Sequence, residues 1–253
     1  MNSQRRERKD QHIENYLRTR SGENTLLEDV YIEHYAISDI SLNEIDTSIE
    51  FMDKTIAMPL MIDAMTGGGS SSESINEDLS SICESLNIPM AVGSESIAIS
   101  DTDSRESFEL VKVKEDLLRI GNLGFERDFD DFVFARDLID AHAMQVHLNL
   151  AQELVMKEGD NSYHSSLGLI KDLVENFNYP IIVKETGSGI SKAVAEKLVD
   201  VGVRYIDVAG KGGTNFIEIE DLRDFEIDYS DLYNWGIPTA KSIIDVRSIS
   251  DET

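Results

Sequence analysis

Cysteine is all but missing from this sequence: Cys83 stands alone among 253 residues. A lone thiol forms no disulfide framework and no thiolate metal cluster, which sets aside stapled secreted scaffolds and zinc ribbons. Long apolar runs are missing too, and none approaches the roughly 18–20 residues of a membrane span. The first nine residues, Met1-Asn2-Ser3-Gln4-Arg5-Arg6-Glu7-Arg8-Lys9, lack the apolar stretch of a secretory signal. The cytoplasm is the expected compartment, and no membrane partner is expected. Positive charge is scarce: 23 Lys plus Arg stand against 49 Asp plus Glu, a formal net charge of -26. Such a surface repels nucleic acid, which is excluded as a partner. It also opposes any anionic small molecule, so a phosphate ester would need local donors that outweigh the global field. Neither a nucleophile-elbow sequence nor a His-rich metal motif occurs, and His34, His142 and His164 receive no role.

What is present is enough apolar residue, 41%, to build a sizeable core. A charged helix is expected near residues 5–17. From Ala57 onward, short apolar runs alternate with stretches of helical spacing, the pattern of βαβ units around a parallel sheet. The runs are Pro59-Leu60-Met61-Ile62-Asp63-Ala64-Met65, Pro89-Met90-Ala91-Val92-Gly93-Ser94 and Leu117-Leu118-Arg119-Ile120-Gly121-Asn122. Met144-Gln145-Val146-His147-Leu148-Asn149, Pro180-Ile181-Ile182-Val183-Lys184-Glu185 and Tyr205-Ile206-Asp207-Val208-Ala209-Gly210 complete six units. A last helix follows Trp235-Gly236-Ile237-Pro238-Thr239. A (β/α)8 barrel takes about 250 residues; with roughly 55 spent before the first run, about six units fit. The expected fold is α/β, a TIM (β/α)8-type barrel that is incomplete, with an N-terminal extension over 1–55 and barrel over 56–253.

In such a barrel the chemistry lies at the C-terminal ends of the strands. Thr66 with its glycines, Ser94, Asn122, His147 with Asn149, Lys184, and Gly210-Lys211-Gly212-Gly213-Thr214-Asn215 all sit there. Each has a plain alternative. The glycine-rich segment is an anion cradle with Thr214 as donor, or a flexible turn. Asn149 with Gln152 three residues on reads as a capping box. Glu153, in the same first turn, is placed to hold Mg²⁺. Lys184 ends an apolar strand and needs an anion, either on a ligand or on a neighbouring Asp or Glu. Arg8, Lys9 and His12 form a frayed terminus or an arm that grips phosphate. Gly187-Ser188-Gly189-Ile190-Ser191-Lys192 lacks the third glycine of a dinucleotide fingerprint, and Ser188 or Ser191 reads as a helix cap.

Together these segments resemble the type 2 isopentenyl-diphosphate isomerase family. The resemblance rests on Arg8-Lys9-Asp10-Gln11-His12-Ile13, Ala64-Met65-Thr66-Gly67-Gly68, Ala91-Val92-Gly93-Ser94 and Gln145-Val146-His147-Leu148-Asn149. It continues through Gln152-Glu153-Leu154-Val155-Met156, Val183-Lys184-Glu185, Gly210-Lys211-Gly212-Gly213-Thr214-Asn215 and Trp235-Gly236-Ile237-Pro238-Thr239. It implies a homo-oligomeric flavoenzyme, a tetramer or octamer at full length, that interconverts isopentenyl and dimethylallyl diphosphate. FMN, reduced by NADPH, and Mg²⁺ are the implied cofactors. Carried over by motif, Arg8, Lys9 and His12 bind substrate, and Ala64, Met65, Thr66, Ser94, Asn122, Lys184 and Thr214 contact FMN. Gln152 touches substrate and assists proton transfer, Glu153 ligates Mg²⁺, and His147 and Asn149 line the catalytic pocket.

The chain also departs from that pattern. Glu95 and Ser96 follow Ser94 where many members place a basic residue, Asn161 replaces an arginine, and Ala209 stands where some members have serine. The family continues with two further βα units, which carry the cradle for the FMN phosphate. Weak FMN retention is therefore the expectation for a 253-residue monomer. An inactive truncated fragment without FMN is one alternative, and another FMN-dependent barrel oxidoreductase is the second. The oxidoreductase usually needs a late His/Arg pair, and no histidine follows His164.

Overall fold

The computed structural model describes residues 2–19, 24–157, 159, 166–223 and 226–249. Asn161 and His164 lie outside the described residues. The charged N-terminal stretch is helix α1 (Asn2–Tyr16). Residues 24–48, largely exposed and with two short 3-10 turns, lead to an antiparallel hairpin, β1 (Ile49–Phe51) and β2 (Lys54–Ile56). Met52 and Asp53 at its tip both take left-handed φ values, 51° and 61°. That conformation matches the right-handed twist of the flanking strands.

The alternating elements follow in order: α2 (Ser72–Leu86), β3 (Met90–Ala91), α3 (Ser96–Ser100), α4 (Glu106–Glu109), β4 (Arg119–Gly124) and α5 (Phe129–Ile139). Next come β5 (Ala143–His147), α6 (Leu150–Val155), α7 (Ser166–Asn176), β6 (Ile181–Lys184) and α8 (Lys192–Asp200). Last are β7 (Tyr205–Asp207), α9 (Phe216–Asp221) and α10 (Thr239–Arg247). The strands form one parallel sheet in the order β3-β4-β5-β6-β7. Sequential parallel order with helical crossovers is the topology of a (β/α)8-type barrel, and the described part is an arc of it.

One expected strand is reduced. Residues 59–65 form no ladder; a single parallel bridge, Ile62 to Met90, joins them to β3. Pro59 offers no N–H to a ladder, and Leu60 and Met65 are 54% and 52% exposed, without the double-sided burial that sustains a parallel strand. The other five runs are strands, and every residue of β4, β5 and β6 is buried.

Burial on both faces explains the near-continuous apolar runs. Outward residues such as Leu123, Met144, Val146 and Val183 pack under the helices against Phe108, Phe132, Ile139 and Leu173. Inward residues Ala91, Ile120, Ala143 and Ile182 form a second cluster with Phe51, Met52, Met61 and Tyr205. The β1–β2 hairpin thus plugs one end of the arc. Two residues beyond Met61, Ile120, Ala143, Ile182 and Tyr205, the side chains turn polar: Asp63, Asn122, Gln145, Lys184 and Asp207, with His147 beyond Gln145.

Candidate active site

This polar layer is joined internally. Lys184 Nζ donates to the Glu185 carbonyl at 2.8 Å and lies 3.3 Å from Asp63 Oδ2. Asp63 Oδ1 accepts from Gln145 Nε2 at 2.8 Å. The carboxylate neighbour expected as one reading of Lys184 is therefore Asp63. On the adjoining strand, His147 Nδ1 lies 3.0 Å from Asn122 Oδ1. Complete burial, aided by Lys184, Lys9 and Arg127, lowers the His147 pKa to about 3, so its imidazole is neutral.

Thr66 is held from two sides. Its hydroxyl donates to Asn76 Oδ1 at 2.5 Å, and its carbonyl accepts from Gly93 N–H at 2.6 Å. A Cβ on Gly93 would stand 2.6 Å from the Thr66 carbonyl carbon, so only glycine permits this approach. Asn76, fully buried on α2, also donates to the Ser107 carbonyl, and the Ser107 hydroxyl accepts from Gly68 N–H. Ala64 packs on the inner apolar cluster, while Met65 is half exposed.

Helix α1 lies over the open end and bridges its two sides. Lys9 Nζ donates to the Ser94 carbonyl at 3.1 Å, and Arg8 Nη1 to Met156 Sδ at 3.2 Å. His12 Nε2 lies 2.9 Å from Glu220 Oε1 on α9. Asn15, 4% exposed, donates to the Ile219 carbonyl. The N-terminal basic residues are thus docked, not frayed. Burial, with Arg8 beside it, brings Lys9 down to about 7. Burial also raises Glu95 to about 8 although its Oε2 accepts the Asn122 backbone N–H at 2.9 Å. Near neutrality Glu95 is therefore largely an uncharged acid, and no anionic charge stands there.

Glu220 escaped the sequence reading. Its Oε1 accepts from Gln152 Nε2 at 2.8 Å, and its Oε2 from Arg223. Burial alone would raise its pKa, but His12, Arg223 and Gln152 outweigh that and hold it at about 2. One ionised carboxylate therefore orients both Gln152 and His12. The capping box expected at Asn149 is absent: its side chain does not cap α6 but donates Nδ2 to Glu153 Oε1 at 2.7 Å. Asn149 Oδ1, the atom a cap would use, is buried without a partner. The cap expected at Ser191 is present, its hydroxyl accepting from Val194 N–H. Thr214 lines a cavity with Gln152, Thr186, Lys211 and Trp235, and Asn215 caps α9.

The layer suits a flavin. Gln145 Oε1 and Asn149 Oδ1 are buried acceptors without a hydrogen-bond partner, the state expected of atoms awaiting a ligand donor. The cation Lys184 is joined to Gln145 through Asp63. Mg²⁺ is bound through one or two carboxylates plus substrate phosphates, which Glu153 can supply; no group of three metal-ligating acids or histidines occurs among the described residues.

The isopentenyl-diphosphate delta-isomerase of Bacillus pumilus is 41% identical to this chain, over 98% of it and 71% of the relative. The chain belongs to the isopentenyl-diphosphate delta-isomerase family. The namesake enzymes of Bacillus licheniformis, 40% identical over 98% of this chain and 71% of that one, and Staphylococcus aureus, 34% identical over 98% and 72%, agree. The type 2 resemblance of its motifs pointed to this family, and the chain is an isomerase of it. No family model matches the chain. Among solved structures, mandelate oxidase with benzoyl-formic acid has a TM-score of 0.51 at 14% identity, over 73% of this chain and 57% of that one. A mandelate oxidase mutant reaches 0.55 at 17% identity, over 77% and 62%. At such identities the likeness concerns fold alone, that of the (β/α)8-type barrel. Among the described residues no helix is long and apolar enough to cross a membrane.

Proposed function

We propose that this isomerase interconverts isopentenyl and dimethylallyl diphosphate on reduced FMN, with NADPH as electron source and Mg²⁺ at Glu153. The observation that carries the reading is the position of α1. It brings Arg8, Lys9 and His12 over the polar end of the barrel, onto Ser94 on one side and Glu220 on the other. Bound reduced FMN would supply acid/base chemistry at the alkene. Lys184, Thr66, Asn122 and Ser94 would hold the cofactor, and Gln145 Oε1, buried and unpartnered, would offer it an acceptor. Arg8 and Lys9 take the diphosphate; a phosphate beside Lys9 favours its charged form and offsets the cost of its burial. Gln152, fixed by Glu220, presents its amide to the reacting carbons. Neutral His147 with Asn149 lines the pocket without adding charge, and α1 excludes bulk water from it.

The test is turnover in deuterated water with isopentenyl diphosphate, FMN, NADPH and Mg²⁺, read by proton NMR. Dimethylallyl diphosphate carrying solvent deuterium is expected only with reduced flavin and Mg²⁺ present. Gln152→Ala should reduce turnover by about 100-fold through lost orientation. Turnover without flavin, or a flavin-saturated chain that forms no product, refutes the proposal.

A further inference from the structure

Helix α1 has little apolar surface to hold it in place. Its only apolar residues are Ile13 and Tyr16, and Tyr16 is half exposed. A helix without an apolar stripe gains little from packing, and one of 15 residues is marginal in water by itself. Its seat over the pocket therefore depends on polar contacts, and these differ in kind. Lys9 and Asn15 each give one hydrogen bond to a backbone carbonyl, and Asp10 accepts one from Ser70 N–H at 2.9 Å. Arg6 makes a fork: its Nε and Nη2 donate to the two carboxylate oxygens of Asp101 at 2.7 and 2.8 Å. Bidentate pairing is both stronger and more directional than a single neutral hydrogen bond.

Asp101 is a fixed anchor. It directly follows α3 and is buried, its Oδ1 also accepts from Asp103 N–H at 3.2 Å, and its carbonyl accepts from the Ser104 hydroxyl at 2.8 Å. The Ser104 carbonyl takes the Ser107 hydroxyl, and that hydroxyl takes Gly68 N–H, each at 2.8 Å. The fork thus ties α1 to the buried network that holds the Thr66 loop. Arg6 stands one turn before Lys9 on the same side of the helix. We propose that Arg6 and Asp101 are positioning residues, whose fork seats the first turns of α1 so that Arg8 and Lys9 are in place before an anionic ligand arrives. Such pre-ordering lowers the entropic cost of capture.

Position and charge make opposite demands on Asp101. Asp101→Asn removes a negative charge, so electrostatics alone would tighten the binding of an anion. The amide can still cap the turn through its oxygen, but it leaves the guanidinium one neutral acceptor in place of two charged ones. With the fork lost, position alone would weaken the same binding. Asp103, exposed and 3.5 Å from Arg6 Nη2, is too weak a partner to replace it.

The inference rests on Arg8 and Lys9 as the diphosphate-binding pair, but its test separates the two. Hydrogen exchange along α1 and calorimetric binding of Mg²⁺-pyrophosphate are measured for the wild type, Arg6→Gln, Arg6→Lys and Asp101→Asn. The α1 amides should exchange about fivefold faster in every variant, the upper end for a pair with one partner partly exposed. Pyrophosphate should bind weaker by a similar factor, while exchange in β4, β5 and β6 stays as in the wild type. Faster exchange in those strands as well would mark a general loss of fold and overturn a local role. Unchanged exchange in α1, or an Arg6→Lys chain equal to the wild type, overturns the fork. So does an Asp101→Asn chain that binds pyrophosphate as tightly as the wild type or more so. A wild type that binds no pyrophosphate, with α1 loosened in the variants as stated, sinks the diphosphate reading of Arg8 and Lys9 and leaves the fork as the seat of α1.

Discussion

Glu220→Gln isolates one buried charge at almost constant shape. Glu220 is 2% exposed and carries three partners: Gln152, His12 and Arg223. Its carboxyl sits at about 2, against an ordinary 4.5. A shift of that size corresponds to about 3 kcal/mol of stability. The sign is that of a depressed acid: the stabilisation is complete above about pH 4.5 and fades as pH falls toward about 2. His12, Arg223 and Gln152 together hold the carboxylate ionised against its burial. In the variant, the amide still accepts from Gln152 but no longer neutralises Arg223, which remains partly buried beside Gln11. Urea unfolding followed through Trp235 fluorescence should therefore place Glu220→Gln about 3 kcal/mol below the wild type at pH 7, an upper value if the unfolded chain keeps some of the contact. The gap should hold down to about pH 5 and narrow below it. A gap under about 0.5 kcal/mol at pH 7, or one that widens on acidification, refutes the assignment of Glu220 as an ionised buried anchor.

Two further outcomes follow from the same geometry. Gly67→Ala should cost about 1–3 kcal/mol by overpacking, because its Cβ would stand 2.0 Å from Phe108 Cε1 at a φ of +154°; an unfolding midpoint equal to wild type would count against the tight Thr66 loop. The His147 ring carbon shifts should stay flat between about pH 5 and 8, since burial holds its pKa at about 3, and a titration near 6.5 would show the ring to be solvated.

The strands were legible because double-sided burial writes itself as an apolar run, and β6 with Ile181, Ile182 and Val183 is the plainest case. The run 59–65 misled for the converse reason: composition reports apolarity, while a strand also needs neighbours on both sides. Asn149 misled because Asn and Gln at cap spacing are written the same way whether the amide turns to the backbone or, as here, to Glu153. Glu220 was invisible for a different reason. In Phe216-Ile217-Glu218-Ile219-Glu220-Asp221 it is one acid among three, with Arg223 at the spacing of an ordinary surface pair. Only the docking of α1, some two hundred residues earlier in sequence, buries it and makes it an anchor.

That docking also answers how a chain of net charge -26 can admit a doubly phosphorylated substrate. The global field is unfavourable, but the acids nearest the pocket contribute little of it. Glu95 is held uncharged by burial, Glu220 is neutralised by Arg223, and Asp63 is matched by Lys184. Against this local balance α1 adds Arg8 and Lys9, whose charges act across a poorly screened, partly buried space. Most of the remaining acids face solvent, where about 8 Å of salt solution screens them at physiological ionic strength. Substrate capture should therefore strengthen with salt at the encounter stage, where the surface repels, and weaken with salt only where, on the proposed reading, Arg8 and Lys9 take the diphosphate. An association rate that rises with ionic strength in the wild type, and rises further in Arg8→Gln once the local attraction is removed, is what this division of charge requires.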